Sequence, residues 1–315
     1  MRWWCHSLAS AALVLVGATC LPLSSCWARP SWTGGRPTKS SDQSRGREGA
    51  HNAVNKHDPV SEHYWVFQTS EDHKYVHMST VEPLPDGRIA VAFQTGPAEG
   101  DDGQSIFFKR SSDGGKTWEP HKVAVKKGFP QAVWGPVLVY NSHAGASKYA
   151  AKSPTLAESE EGQLFLFFSA SVPANVRGPG RSYPGGDIYL QRSSDFGDTW
   201  STPIRLLEYF SPTRGNVSKV TANKPAVSDD GRVWVLPYWQ EKHITNATGP
   251  SCAGVLVSSD YGQTFNTTSA CLADDAAGWL IENTIAPAKN GTLVQLFRTT
   301  EGHIWQSTSS DWGQK

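Results

Sequence analysis

Net charge is missing from this chain: 29 Lys and Arg balance 29 Asp and Glu, and no block of like charge dominates any segment. Bulk electrostatics therefore excludes nucleic acid or an anionic membrane as the natural partner. Helical periodicity is also lacking beyond the N-terminal apolar stretch, which leaves strands to build the core. Metal-ligand spacing is absent among the ten His. His51, His57, His63, His73 and His77 cluster, but partly in a segment with almost no apolar content, so neither a metal nor another cofactor is expected. Cysteine is scarce: of five, Cys5, Cys20 and Cys26 lie near the N-terminus, leaving Cys252 and Cys271 for the remainder.

The N-terminus opens with Met1-Arg2, runs through apolar Leu8 to Leu23 and offers Cys26-Trp-Ala28 as a small-residue cleavage site. Residues 1–28 read as a secretory signal peptide, with Leu23-Ser-Ser-Cys26 as a less fitting lipoprotein site, and no membrane span is expected in the mature chain. Residues 29–60 are rich in Ser, Gly, Arg, Pro and Asn and read as a disordered linker, with the folded domain at 61–315. A secreted or lumenal location follows, and Asn216, Asn246, Asn266 and Asn290 stand in glycosylation sequons that matter only in a eukaryotic host.

Aromatic residues, by contrast, are plentiful, with 13 Trp and 12 Phe, and one turn recurs four times. It reads Ser111-Ser-Asp-Gly-Gly-Lys-Thr-Trp118, Ser193-Ser-Asp-Phe-Gly-Asp-Thr-Trp200, Ser258-Ser-Asp-Tyr-Gly-Gln-Thr-Phe265 and Ser309-Ser-Asp-Trp-Gly-Gln-Lys315. Asp113, Asp195, Asp260 and Asp311 are suited to cap turn amides, Gly to adopt the left-handed conformation, and the closing aromatic to tuck between sheets. A second repeat precedes each copy: Asp86-Gly87, Glu161-Gly162, Asp230-Gly231 and Asn290-Gly291, each followed by an apolar run. Such dipeptides mark tight hairpins. Each unit is thus two hairpins, and four antiparallel strands repeated radially describe an all-β propeller of four-stranded blades, about four of them here. Cys252 and Cys271 are equidistant from the centre of the third turn, so its hairpin sets them opposite each other. They read as a cross-strand disulfide, or else as two buried free thiols.

Both sets of turns fall on one face, so every other connection lies on the opposite face, where binding and catalysis usually sit. Loops are expected there over 95–104, 126–151, 171–186, 208–219, 241–251 and 272–278. His77, Lys152, Lys224 and Glu282 fall near starts of first strands, and Gln94, Gln240, Glu241 and Arg298 at ends of second strands. Glu99, Asp101 and Asp102 lie in the first loop. Any one of these reads equally well as a surface charge. Their shared face, with Trp239, points to a polar, anionic ligand such as an acidic sugar.

The Ser-x-Asp-x-Gly-x-Thr-Trp turn on four-stranded units resembles the Asp-box, or bacterial neuraminidase repeat, of sialidases, over roughly His63 to Lys315. His77-Met-Ser-Thr-Val, Glu99-Gly-Asp101, Asn223-Lys-Pro225 and Ile281-Glu-Asn-Thr with Arg298 are similar to the broader sialidase-like group. The resemblance implies a six-bladed propeller and an exo-sialidase that removes terminal sialic acid from glycans through a Tyr nucleophile. Residue by residue, it makes Glu282 the base toward that Tyr, Arg298 a clamp on the sugar carboxylate, and Asp101 or Asp102 the acid/base. His77, Lys224, Glu241 and Gln94 are binding residues by their placement.

Two departures stand out. His77-Met78-Ser79 replaces the first family arginine, and the third arginine and the Tyr are expected beyond Lys315, as in a C-terminally truncated fragment. Two further readings stay open: a polysaccharide lyase using His77 with Tyr140 or Tyr183, and a non-catalytic glycan-binding propeller. The oligomeric state is not readable.

Overall fold

The computed structural model describes residues 62–126, 129, 131–144, 162–211, 215–221, 223–241, 252–267, 272–273 and 279–314. The signal and linker segments, Lys152, Asn246, Cys271 and Lys315 lie outside the described residues.

Among the described residues every regular element but one 3-10 turn is a strand. Blade 1 is the sheet β1 (Tyr75–Pro83), β2 (Ile89–Gly96), β3 (Ser105–Ser111) and β4 (Lys122–Val125), paired in that order and antiparallel. Blade 2 starts with β5 (Val133–Asn141) and β6 (Gln163–Ala170). A small hairpin of β7 (Val176–Gly178) and β8 (Arg181–Ser182) follows, before β9 (Asp187–Ser193) and β10 (Ile204–Leu207) complete the sheet. A two-stranded ribbon, β11 (Phe210–Ser211) and β12 (Gly215–Asn216), leads into blade 3. Its inner strand comes in two pieces, β13 (Lys219–Val220) and β14 (Ala226–Val227), then β15 (Trp234–Gln240), β16 (Cys252–Ser258), β17 (Asn266–Thr267) and β18 (Leu272–Ala273). Blade 4 contributes β19 (Ile281–Pro287), β20 (Leu293–Arg298) and β21 (Ile304–Ser309).

One expectation needs correction. The stretch 126–151, read as a loop, contains β5, the inner strand of blade 2. Gly135-Pro136 looks like a turn signal, yet it is a β-bulge: the register slips between Trp134 and Val137. The same slip recurs between His77 and Thr80 and between Ile281 and Thr284. Each bulge holds one residue left-handed, Met78 at φ 50°, Gly135 at 55° and Glu282 at 52°. Glycine is required at 135, where an added Cβ would collide with the Thr221 carbonyl of blade 3.

The repeated turns act as expected of a capping motif. In the second copy Ser193 Oγ donates to Asp195 Oδ1 at 2.7 Å, Thr199 N donates to Oδ1 at 2.8 Å and Thr199 Oγ1 to Oδ2 at 2.6 Å. The first and third copies repeat this set. The fourth keeps the Ser309 and Asp311 contact at 2.8 Å. Two successive left-handed residues make each turn, and outside the first copy an aromatic occupies the first of them: Phe196, Tyr261 and Trp312.

Each later copy also bites the preceding blade. Trp200 meets Phe108 edge-on at 5.6 Å, Phe265 meets Phe167 at 5.4 Å, and Trp312 packs against the cluster that holds Val235, Val255 and Val257. A Cβ on Gly197 would enter the Phe108 ring. Arg110 Nη1 donates to Phe196 O at 3.2 Å and Arg192 Nη2 to Gln263 O at 2.8 Å, so the arginine before one turn latches the next turn along. The blade stack buries its middle completely: Leu164, Phe165, Leu166, Phe167 and Phe168 are all 0% exposed, because β6 is covered on both faces.

Cys252 is disulfide-bonded. Pairings Leu256↔Thr267 and Val257↔Asn266 continue the symmetric hairpin that would set 252 against 271, but the register then slips, placing Ala273 opposite Cys252. No described helix is long and apolar enough to cross a membrane.

Candidate active site at the loop-bearing face

Registers place the expected groups at one end of the sheets. His77 pairs with Gln94 in blade 1 and Ile281 with Arg298 in blade 4, both at the end away from the repeated turns. Beneath that end all four blades contribute to one apolar floor: Met78, Trp134, Val220, Trp239, Ile281 and Phe297.

The blade 4 rim carries the strongest pair. Glu282 Oε1 accepts a 2.8 Å hydrogen bond from Arg298 Nη1, with side chains 47% and 61% exposed. The bulge turns Glu282 outward: Ile281 and Asn283 on either side are buried. A left-handed glutamate is strained by about 1 kcal/mol. Met78 shows the same conformation, so the bulge belongs to the architecture. Blade 3 meets this rim through Asn223 Nδ2, which donates to Glu282 O at 3.3 Å and Asn283 O at 3.0 Å.

Glu241 is different in kind. It is buried, and its carboxyl accepts from the Trp239 indole at 3.1 Å. Burial, with repulsion from Glu282 as a smaller cause, pushes its pKa up to about 7. It can therefore hold or release a proton near neutrality beside an exposed carboxylate. Gln94 and Lys224 play supporting parts: Gln94 is 0% exposed, its Oε1 accepting from Gly135 N at 2.9 Å, and Lys224 Nζ forms an ion pair with Glu82. Glu82 Oε1 in turn accepts from Tyr140 N at 2.8 Å, so blades 1, 2 and 3 are tied together.

Asp101 and Asp102 lie in the β2–β3 loop, docked on the β7–β8 hairpin. Asp101 forms a β-bridge with Arg181 and its Oδ1 accepts from Gly103 N at 2.7 Å. Asp102 Oδ1 accepts from Ser182 Oγ at 3.1 Å, and its amide donates to Gly180 O at 3.0 Å. Glu99 of the same loop is exposed and reaches His77, Oε1 to Nδ1, at 4.0 Å.

Tyr75 completes this corner, and sequence reasoning passed it over. Its ring lies 5.6 Å from that of His77, and its hydroxyl lies 3.5 Å from Gln94 Nε2. Burial, and then Glu99, raise its pKa beyond the ordinary tyrosine range. Its only sequence signal was its place two residues before His77. Tyr140, by contrast, packs near Phe196 of the second repeated turn, and Tyr183 lies under Arg177.

Among the described residues no group of three His, Cys, Asp or Glu could hold a metal ion. A cavity of about 720 Å³ lies on the flank of blade 1, lined by His73, Gly103, Phe107 and His121 among others, and none of the expected site residues lines it.

The repeated turn and the blades it fastens define a class, and comparison with known proteins names it. Residues 87–315 match the family model described as BNR repeat-like domain, and the chain belongs to that family. No curated protein matches. Among solved structures, a protein of unknown function from Dyadobacter fermentans is similar at TM-score 0.58 and 18% identity, covering 78% of this chain and 68% of its own. A Hadza microbial sialidase follows at TM-score 0.54 and 18% identity, covering 76% of this chain and 45% of its own. NanB sialidase of Streptococcus pneumoniae gives 0.52 and 13%, covering 82% and 53%. The shared fold is the sialidase propeller, and the chain spans about half the length of these sialidases.

Proposed function

We propose that this protein is a sialidase-like glycoside hydrolase that removes a terminal acidic sugar, sialic acid or a relative, from glycans. The observation that carries the reading is the exposed Glu282–Arg298 pair, joined at 2.8 Å on a bulged inner strand. A guanidinium offers a sugar carboxylate two parallel donors and a permanent charge. In this reading Arg298 clamps the carboxylate, Glu282 is the base toward the phenol nucleophile of the resemblance, and Glu241 tunes the pair electrostatically. Proton transfer to the leaving oxygen falls to blade 1, where Asp101 and Asp102 are the candidates carried over. The protein would act outside the cytosol, in keeping with the N-terminal signal pattern.

The test is release of free sialic acid from a fluorogenic sialoside. Turnover by the protein assayed with the blades expected to carry the Tyr, dropping about 100-fold or more in Arg298→Ala, supports the reading. Undiminished turnover in that variant sinks the site assignment.

A second reading, β-elimination on a uronate, draws on one observation: Tyr75 lies beside His77, as a proton-transfer pair would. An unsaturated uronide product would select it over hydrolysis.

A further inference from the structure

We propose that His77, backed by Glu99, is the proton-transfer residue of blade 1. The proposal rests on the hydrolase reading and names the group that reading leaves open. Three observations carry it.

Asp101 and Asp102 have settled duties. Each commits a carboxylate oxygen to holding the loop, Asp101 on Gly103 N at 2.7 Å and Asp102 on Ser182 Oγ at 3.1 Å. Both residues are half-buried, whereas Glu99 and His77 are exposed, with side chains 56% and 54% open.

Next, the Glu99 carboxylate stands 4.0 Å from His77 Nδ1. An imidazole can both give and take a proton, and a carboxylate on the side of one ring nitrogen favours the arrangement in which the other nitrogen meets the ligand. Nε2 is then the atom that faces a ligand.

Finally, the corner is built to hold this geometry. The Tyr75 ring flanks His77 at 5.6 Å, Gln94 Nε2 approaches the Tyr75 hydroxyl at 3.5 Å, and Gln94 is fixed by Gly135 N. On the other side Arg181 Nη1 lies 3.5 Å from the Glu99 carbonyl oxygen, tying the loop to the β7–β8 hairpin. The charged and titratable groups around His77 are thus Glu99, Tyr75 and Arg181, with Asp101 and Asp102 further along the loop.

The step balances without a co-reactant. The imidazolium Nε2–H passes its proton to the glycosidic oxygen as the carbon–oxygen bond breaks, and the neutral ring later takes a proton from the incoming water. Tyr75 and Glu99 are positioning residues.

The experiment compares a natural sialyl oligosaccharide, whose leaving alcohol needs protonation, with an aryl sialoside, whose leaving phenolate does not. His77→Ala is expected to lose about 100-fold or more in kcat/KM on the first and less than about tenfold on the second. Added imidazole is expected to restore part of the loss, and Glu99→Gln to show the same substrate-dependent pattern more weakly. Equal loss on both substrates in a folded His77→Ala protein, or the substrate-dependent pattern appearing in Asp101→Asn or Asp102→Asn instead, overturns the proposal. If the unaltered protein, assayed together with the blades expected to carry the Tyr, turns over neither substrate, the hydrolase reading falls with it; if it turns over both and His77→Ala changes neither, only the present inference falls.

Discussion

Blade 1 and blade 4 are built from the same repeat but meet solvent in opposite ways. The face of blade 1 turned away from blade 2 is buried, with Val91, Phe93 and Phe107 at 7%, 2% and 2% exposure, because Val66, Phe67 and Trp118 cover it. On blade 4 no described residue covers the face turned away from blade 3, and Leu296 and Ile304 are 38% and 67% exposed. A blade cannot bury both its faces alone, and the repeat answers this by lending each turn's aromatic to the blade before it. Among the described residues the first copy packs on its own blade. It carries Gly114 where the others carry Phe196, Tyr261 and Trp312, and its Trp118 folds back onto its own sheet.

The contrast can be broken by truncation. Phe93→Ala should cost about 3–5 kcal/mol in thermal or denaturant unfolding, whereas Ile304→Ala should stay within about 0.5 kcal/mol. Equal costs would mean that the two faces are equally covered in solution.

A smaller effect sharpens the blade 4 side. With its pKa at about 7, above the ordinary glutamate value, Glu241 binds its proton more tightly folded than unfolded. Its carboxyl therefore costs no stability at low pH. The cost grows as pH rises from the ordinary glutamate range to about 7 and is constant above that. Glu241→Gln should stabilise the protein by about 2 kcal/mol near pH 8 and change little near pH 4, as pH-dependent unfolding curves would show.

Smaller still is the difference between the repeated turns. Asp195→Ala, in the copy clamped on blade 1, should cost about 1–2 kcal/mol. Asp113→Ala, in the solvent-facing first copy, should cost visibly less in the same melting experiment. The reverse ranking would contradict the role of the turns as fasteners between blades.

Much of this architecture was legible because its turn chemistry is strict. Ser-x-Asp-x-Gly and the Xaa-Gly dipeptides each demand one backbone shape, so hairpins, blade order and the loop-bearing face followed from residue types. The Glu282–Arg298 pair was legible for the same reason, since a hairpin of known register brings the two together. The inner-strand bulges were not. Met78 and Glu282 are left-handed residues that no propensity marks, and Gly135-Pro136 signalled a turn where the chain continues as β5. Tyr75 went unseen because an aromatic at a strand start has a packing explanation at hand. The arginine latches left a signal that was there to find: Arg110 and Arg192 directly precede the first two Ser-Ser-Asp copies, while Val257 and Thr308 precede the last two.

The most direct test of the account is a crystal structure of the protein soaked with a free acidic sugar. The account predicts the sugar over the floor of Trp134, Trp239 and Met78, its carboxylate within hydrogen-bonding reach of Arg298 and its ring between Glu282 and His77. Sugar bound in the flank cavity by His73 and His121, with Arg298 still paired only to Glu282, would contradict it.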